Sequence, residues 1–397
     1  MTNGGERKSS ENVRAVTKAE ALETGMPRDV LIALHETEGV GRITVANVLL
    51  LGASRGPDSL RYAGSFREGD WRDLGLSAKQ AGAVAANMRA DSAERRRRRR
   101  ERGGMAVVTY LDDDYPELLY EISDPPWVLY CRGRIELLRV PAIGIVGTRL
   151  ATGYGRKVAE DLAAGCSSRM AVVSGLARGI DAAAHTGALE GACGTIAVVA
   201  GCVDQIYPPE NKGLHREISE RGLVVSESPP DTILRAGLFP LRNRIIAGMS
   251  RGVVVVEAAR RSGALITADL ALGYNRDVFV VPGQITSPRS LGALEYFRKG
   301  AHPALAAEDV FQMYKHVLPP ESDPDATVRD ASDPAAPEES LGDDELRIYL
   351  LLLESPRTID ELANFTGMTF GHLHSVLLSL LIKRKIQQQP GSVYHVL

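Results

Sequence analysis

Apolar residues in this chain change their spacing twice, and the changes divide it. From Pro27 onward Leu31, Leu34, Val45, Val48, Leu49 and Leu50 recur with the three-to-four-residue step of helices. From Met105 that step gives way to continuous runs such as AVVSG, TIAVVAG and GVVVVEA, each followed by a helical pattern. Beyond residue 341 the helical step returns in DDELRIYLLLL, TIDELANFTGM and TFGHLHSVLLSLLIKRKI. Two charged stretches separate the three regimes: ERRRRRRERGG (94–104), and a segment rich in Pro, Asp and Glu (317–340).

The middle regime sets the fold class. Val/Ile runs without polar alternation are strands buried on both faces. Six of them (AIGIVG, AVVSG, TIAVVAG, LVVSE, GVVVVEA and DVFVVPG) alternate with helices. That order predicts an α/β fold with a doubly wound parallel sheet, extended and Rossmann-like, over 105–316. MAVVTYLD and WVLYCRG read as two more strands flanking a turn.

The flanks read differently. Residues 1–25 are polar and aperiodic, so a disordered tail is expected there. Residues 26–93 predict a helical module of the SAM or helix-hairpin-helix kind. GVGRITVANVLLLG sets a Gly-x-Gly turn before a helix, which can offer backbone N–H groups to phosphate, although a small bundle with a tight turn explains it as well. GLSAKQAGAVAANM reads as a further helix capped by Ser77. Seven arginines between Glu94 and Gly104 cannot sit in a core. They predict an Arg-rich linker, with a nucleic-acid tether as its functional alternative. Five prolines between Pro319 and Pro337 make 317–340 a flexible acidic linker. In 341–397, Thr358 and Glu361 form a capping box, Gly367 supplies a turn, and Leu373, Val376, Leu377 and Leu380 make a buried stripe. With the hairpin-like IQQQPGSVYHVL, this predicts a winged helix.

Composition adds little. The chain is 44% hydrophobic and 24% charged, as in ordinary globular proteins. Its net charge of −3 conceals ten acidic residues against the single Arg329 between Glu321 and Glu345, so the remainder is net basic. A polyanionic partner is thereby permitted but not required. No apolar run approaches membrane-spanning length, and Cys131, Cys166, Cys193 and Cys202 show neither CxxC pairing nor histidines at metal-ligand spacing. A reduced, cytoplasmic protein without a membrane span, metal or cofactor is the expectation.

The candidate chemistry lies at the strand–helix junctions, where open parallel sheets bind ligands. A dinucleotide reading of the Gly147 junction fails: Gly153-x-Gly155 starts six residues after Gly147, and Val158 stands where a small residue is needed. GxxxxGK[ST] is missing, and Ser174 follows Val172 where a nucleophile elbow needs glycine. His185 reads as a hydrogen-bonded packing residue. What remains is cationic and aromatic. Arg149 follows a strand end and can fork phosphate oxygens. Lys212 lies near a helix start. Arg242, Asn243 and Arg244 follow Phe239, whose face can stack on a base. Such a mixture suits a single nucleic-acid strand. The structural alternative is that Asn243 and Arg244 brace loops through carboxylates such as Glu257.

GIVGTR, SGLARGIDAAAH, TIAVVAG…YPPENKGL, VSE, FPLRNRIIAGMSRGVVVVEAARRSGALITADLA and VFVVPG occur in this order. Together they resemble the DNA-processing protein A (DprA, or Smf) family over roughly 105–302. The resemblance implies a homodimer that binds single-stranded DNA during natural transformation, protects it, and helps load the RecA recombinase, with no catalytic residues. It places the strand-binding pocket at Arg149, Ser174, Gly175, Lys212, Phe239, Arg242, Asn243 and Arg244. Of these, Phe239 is assigned to base stacking and Arg242 to phosphate, and Arg244 is the one that would instead be structural. Relatives often carry a basic residue three positions before the phenylalanine; here Ala236 stands there, beside Arg235.

Two other functions compete. A nucleotide phosphoribohydrolase of related fold would carry a PGGxGTxxE loop, but this chain has EAARRSGALITAD, with Arg260 and Arg261 expected to crowd the site. A duplex-DNA reader would use the winged helix, through Phe370, His372, His374 and Ser375 and the basic cluster Lys383, Arg384 and Lys385.

Overall fold

A computed structural model of the chain describes residues 16–318, 342–382, 385–389 and 393–396. Most of the acidic linker, the first fifteen residues of the expected tail, and Lys383 and Arg384 lie outside the described residues. The chain forms two compact units, Met1–Pro320 and Glu321–Leu397.

Among its described residues the first unit is built on nine strands: β1 (Ala106–Thr109), β2 (Val128–Gly133), β3 (Ala142–Val146), β4 (Ala171–Ser174), β5 (Thr195–Val198), β6 (Leu223–Ser226), β7 (Gly252–Val255), β8 (Asp277–Val280) and β9 (His302–Pro303). Their order is β1-β2-β6-β5-β4-β3-β7-β8-β9. The strands from β6 to β9 run parallel to their neighbours, whereas β1 and β2 form an antiparallel hairpin on the β6 edge. Every residue of β3 through β7 is buried, as unbroken Val/Ile runs require when helices cover both faces. The chain enters the parallel part at β3, winds out to β6, then returns to β7 on the other side of β3. The β3/β7 pair is therefore the topological switch point, with Val146 in register with Val255.

Gly187 shows why one sheet face can be covered tightly. Helix Ile180–Ala188 packs so closely on Gly153–Cys166 that a Cβ at Gly187 would lie 3.0 Å from the Cα of Glu160. Backbone, unlike a side-chain tip, cannot yield there.

Two expected boundaries are corrected. The tail does not extend to residue 25: Lys18–Glu23 is a helix whose N-cap Thr17 forms a capping box with Glu20, and Val16 and Ala21 are buried. Six residues give too short a window for periodicity to register. The arginine run is not a linker either. It lies in a helix, Ala90–Arg102, and Arg96 and Arg100, one turn apart, both grip the Glu36 carboxylate at 3.1 and 2.9 Å. The N-terminal helices share one hydrophobic core with the sheet, where Leu31, Leu49 and Trp71 belong to the same cluster as Tyr110 and Tyr130.

Among the described residues the second unit has three helices, Asp343–Glu354, Ile359–Thr366 and Phe370–Ile382, and a small antiparallel sheet in which Val393–Val396 pairs with both Arg357–Thr358 and Ile386–Gln389. This is the winged helix expected. Thr358 and Glu361 form the capping box, Gly367 ends its helix at φ +67°, and Leu373, Val376, Leu377 and Leu380 lie in the core. Phe370, His374 and Ser375 are exposed, while His372 pairs with Asp344 at 2.8 Å.

Candidate functional site

The C-terminal ends of β3 and β7 open on a cleft of about 620 Å³. One wall is a single face of helix Leu238–Met249: Phe239, Arg242, Asn243 and Ile246, at the i, i+3, i+4, i+7 spacing of one helical stripe. Phe239, Arg242 and Asn243 thus lie in the first two turns of this helix, with Pro240 tolerated because first-turn N–H groups have no intrahelical partner. Arg244 falls on another face. It is buried, 2.5 Å from Glu227 and 3.4 Å from Asp124. Burial works against its charge, but Glu227 and Asp124 more than offset it and hold its pKa above the usual arginine value. Arg244 therefore braces the fold, through these two carboxylates rather than Glu257.

The lip of the cleft is a cluster of aromatic and cationic side chains. Phe239 is half-buried, with the Tyr207 ring 5.3 Å away on one side and the Arg149 guanidinium 5.6 Å from its centroid. Arg149 is exposed, and Phe239 is its guanidinium's partner among the described residues. Tyr207, 47% exposed, was missed in the sequence because YPPEN reads as a turn. Asn243 is half-buried beside this cluster, with no hydrogen bond from its amide among the described residues.

Arg242 forms the floor and is only 7% exposed. One guanidinium nitrogen donates to the Val198 carbonyl, and the group lies against Gly175, where a Cβ would come within 2.5 Å of its Cζ. Glycine at 175 is thus what makes room for the guanidinium. Burial pulls the Arg242 pKa down to about 10; Asp181 opposes this, and Arg149 adds repulsion. Burial likewise raises the Asp181 carboxyl, against the pull of Arg242. For both groups burial outweighs the pairing, so the floor is an incompletely compensated cation facing a second one. An anion between Arg149 and Arg242 would relieve both.

The remaining predicted residues are placed elsewhere. Ser174 is fully buried and donates from Oγ to the Ile145 carbonyl at 2.7 Å, tying β4 to β3. Lys212 is exposed at the start of helix Lys212–Arg221 and is not part of the cleft wall. Ala236 lines the cleft, and Arg235 is not among its lining residues. Arg260 turns to Glu295 at 2.7 Å, and neither it nor Arg261 lines the cleft, so the expected crowding is absent.

The groups that could have supplied nucleotide chemistry are engaged. Glu257 accepts from the Thr152 amide at 3.0 Å and from its hydroxyl at 2.6 Å, placing a carboxylate at the N-terminus of helix Gly153–Cys166. That is where a dinucleotide pyrophosphate would lie. His185 accepts the Leu176 N–H at Nε2 (3.2 Å), which leaves Nδ1 to donate to the Thr195 hydroxyl at 2.7 Å; that hydroxyl in turn donates to the Val172 carbonyl. This is the packing role read from the sequence. Burial drives its pKa down to about 3, so the folded ring stays neutral while the unfolded one protonates near 6.5. The stability held by the neutral ring is complete above pH 6.5 and is lost as pH falls toward 3, at up to about 1.4 kcal/mol per pH unit. Urea unfolding between about pH 6.5 and 5 should show a shallower decline for His185→Asn than for wild type.

Comparison with known proteins follows this geometry. Residues 106–315 match the family described as DNA recombination-mediator protein A, and residues 332–392 match the DprA winged helix domain. The chain belongs to the DNA recombination-mediator protein A family. A protein Smf of Synechocystis is 36% identical over 313 residues, 71% of this chain and 78% of that protein. The DNA processing protein DprA of Bacillus subtilis is 41% identical over 211 residues, 53% of this chain and 71% of that one. The X-ray structure of DNA processing protein A from Streptococcus pneumoniae superposes with a TM-score of 0.64 at 32% identity, covering 72% of this chain and 98% of that one. The family match spans the sheet and its cleft. Among the described residues no helix is long and apolar enough to cross a membrane.

Proposed function

We propose that this member of the recombination-mediator family binds single-stranded DNA in the β3/β7 cleft, and acts as a mediator rather than an enzyme. The observation that carries this reading is the Tyr207–Phe239–Arg149 cluster in the same cleft as the buried Arg242. Unstacked bases have two faces to fill and phosphates follow at every step, so rings beside guanidinium groups suit a single strand. A duplex keeps its bases stacked and gains nothing from the rings.

On this reading Phe239 and Tyr207 stack on bases, Arg149 takes phosphate directly, and Arg242 sets the positive floor. Asn243 supplies a sequence-tolerant hydrogen bond. Gly175 acts by admitting Arg242, and Ser174 by holding the strand ends. Lys212 contributes through long-range attraction. The wider role is protection of incoming DNA and assistance to RecA loading during natural transformation, by a cytoplasmic homodimer. The family's description as a recombination mediator supports it.

Arg149→Ala should weaken binding of a labelled oligothymidylate by about 1–3 kcal/mol, the worth of a charge-assisted contact. It should also make the salt dependence shallower by about 0.7 in log–log slope. Affinity and slope equal to wild type in an anisotropy titration would remove Arg149 from the site. The mediator role is read from RecA ATPase activity on strands coated with single-strand-binding protein: this chain should shorten the lag, and an unchanged lag would oppose it.

A further inference from the structure

The arginine run is left over from the site just described, and its helix sorts it by direction. Arg96 and Arg100 point inward onto Glu36, which also accepts from the Tyr130 hydroxyl at 2.9 Å. Arg97 and Arg98 are held along the helix by Glu94, and Arg97 also by Glu101. Arg95, Arg99 and Arg102, spaced i, i+4, i+7, share the remaining face, where, with Arg96 beside them, they line a groove of about 760 Å³ that also holds Asp204. Their partners are weak competitors. Arg95 meets the exposed Asp91, Arg99 the exposed Asp231, and Arg102 the Arg98 carbonyl at 3.3 Å. Exposed pairs of this kind contribute little and are readily exchanged for phosphate.

The groove's position matters more than its charge. Asp204 follows β5 and Asp231 follows β6, so the groove opens on the same C-terminal edge of the sheet as the cleft. The loop bearing Asp204 carries Tyr207 three residues later, and the segment bearing Asp231 runs on to Ala236, and both Tyr207 and Ala236 line the cleft. β3 and β6 are three strands apart, or about 14 Å at the usual strand spacing. A strand leaving the cleft across these two loops therefore reaches the arginine face.

We infer that the Arg95–Arg99–Arg102 face is a second phosphate track, which holds the backbone of the same DNA strand after it leaves the cleft. The inference rests on the cleft reading for its occupant, and the two fail separately. The track contributes contacts to phosphate alone: no aromatic side chain lines the groove among the described residues.

The test is anisotropy with two oligothymidylates, one of about five nucleotides that fills only the cleft and one about four times longer. Arg95→Gln/Arg102→Gln should bind the short strand like wild type. It should bind the long one at least fivefold more weakly, with a salt slope shallower by about 1.4 for two phosphate contacts. Asp204→Asn, which removes the groove's acid, should tighten the long strand and leave the short one unchanged, a gain that misfolding cannot produce. Phe239→Ala reads the cleft alone through the short strand. If that variant binds the short strand like wild type while the double variant still loses the long one, the track stands and the cleft assignment falls. Wild-type affinity and slope of the double variant on the long strand would overturn the track, as would an equal loss on a duplex of the same length.

Discussion

Arg244→Ala should lower the unfolding free energy of the Met1–Pro320 unit by about 3 kcal/mol, the low end of the cost of breaking a buried ion pair. The side chain is 5% exposed and meets two carboxylates, from Asp124 and Glu227. Removing it leaves Glu227 with no cation to face and Asp124 with Arg42 alone, in a partly buried site, which costs more than the pair itself contributes. The low end applies because Asp124 and Glu227 keep 32% and 23% of their side-chain surface. Arg244→Lys should recover only part of the loss, since a single ammonium cannot serve two acids from one planar fork. Urea unfolding followed by tryptophan fluorescence reports on this unit directly, because both tryptophans, Trp71 and Trp127, are buried within it. A midpoint unchanged from wild type would show that Arg244 is not a brace.

Phe239→Ala should have the opposite profile, with stability kept and binding lost. The ring is half-buried on the lip of the cleft, so its removal leaves no sealed cavity. Losing one stacked base should cost about 1–3 kcal/mol of single-strand affinity. The salt slope should stay near wild type, because stacking releases no counterions. Arg149 complicates the arithmetic. Its guanidinium rests on this ring, so the variant also frees the arginine, and the double variant Arg149→Ala/Phe239→Ala should lose less than the sum of its parts. An additive pair would mean that the two side chains contact the strand independently.

These two residues show what could be read before the structure was known. The strands were legible because each Val/Ile run is buried on both faces, leaving no competing interpretation. The winged helix was legible because its cap, its turn glycine and its apolar stripe all agree. The β1–β2 hairpin's pairing and β9 were not, since antiparallel edge pairing and a two-residue strand leave no periodic trace. In the run Arg242–Asn243–Arg244 the residue types promised a charged site, but helix phase decides each role. A step of one hundred degrees per residue sends 242 and 243 to the cleft and 244 to the carboxylates. The arginine run misled for a similar reason. Composition says that seven arginines are exposed, yet Glu36, far away in sequence, draws two of them inward and fixes the helix.

Ser174 and Gly175 illustrate a third case. Both belong to the SGLARGIDAAAH motif: the Ser174 hydroxyl is spent on the Ile145 carbonyl, and Gly175 leaves the space that the Arg242 guanidinium fills.

The central claim is that a single strand lies across Phe239 and Tyr207. Photocrosslinking with an oligonucleotide carrying iododeoxyuridine, followed by peptide mapping of the adducts, tests it most directly. The account predicts adducts on Tyr207 or Phe239, competed away by unlabelled single strand and not by duplex. Adducts confined to the Glu321–Leu397 unit, with none on the 203–246 peptides, would contradict it.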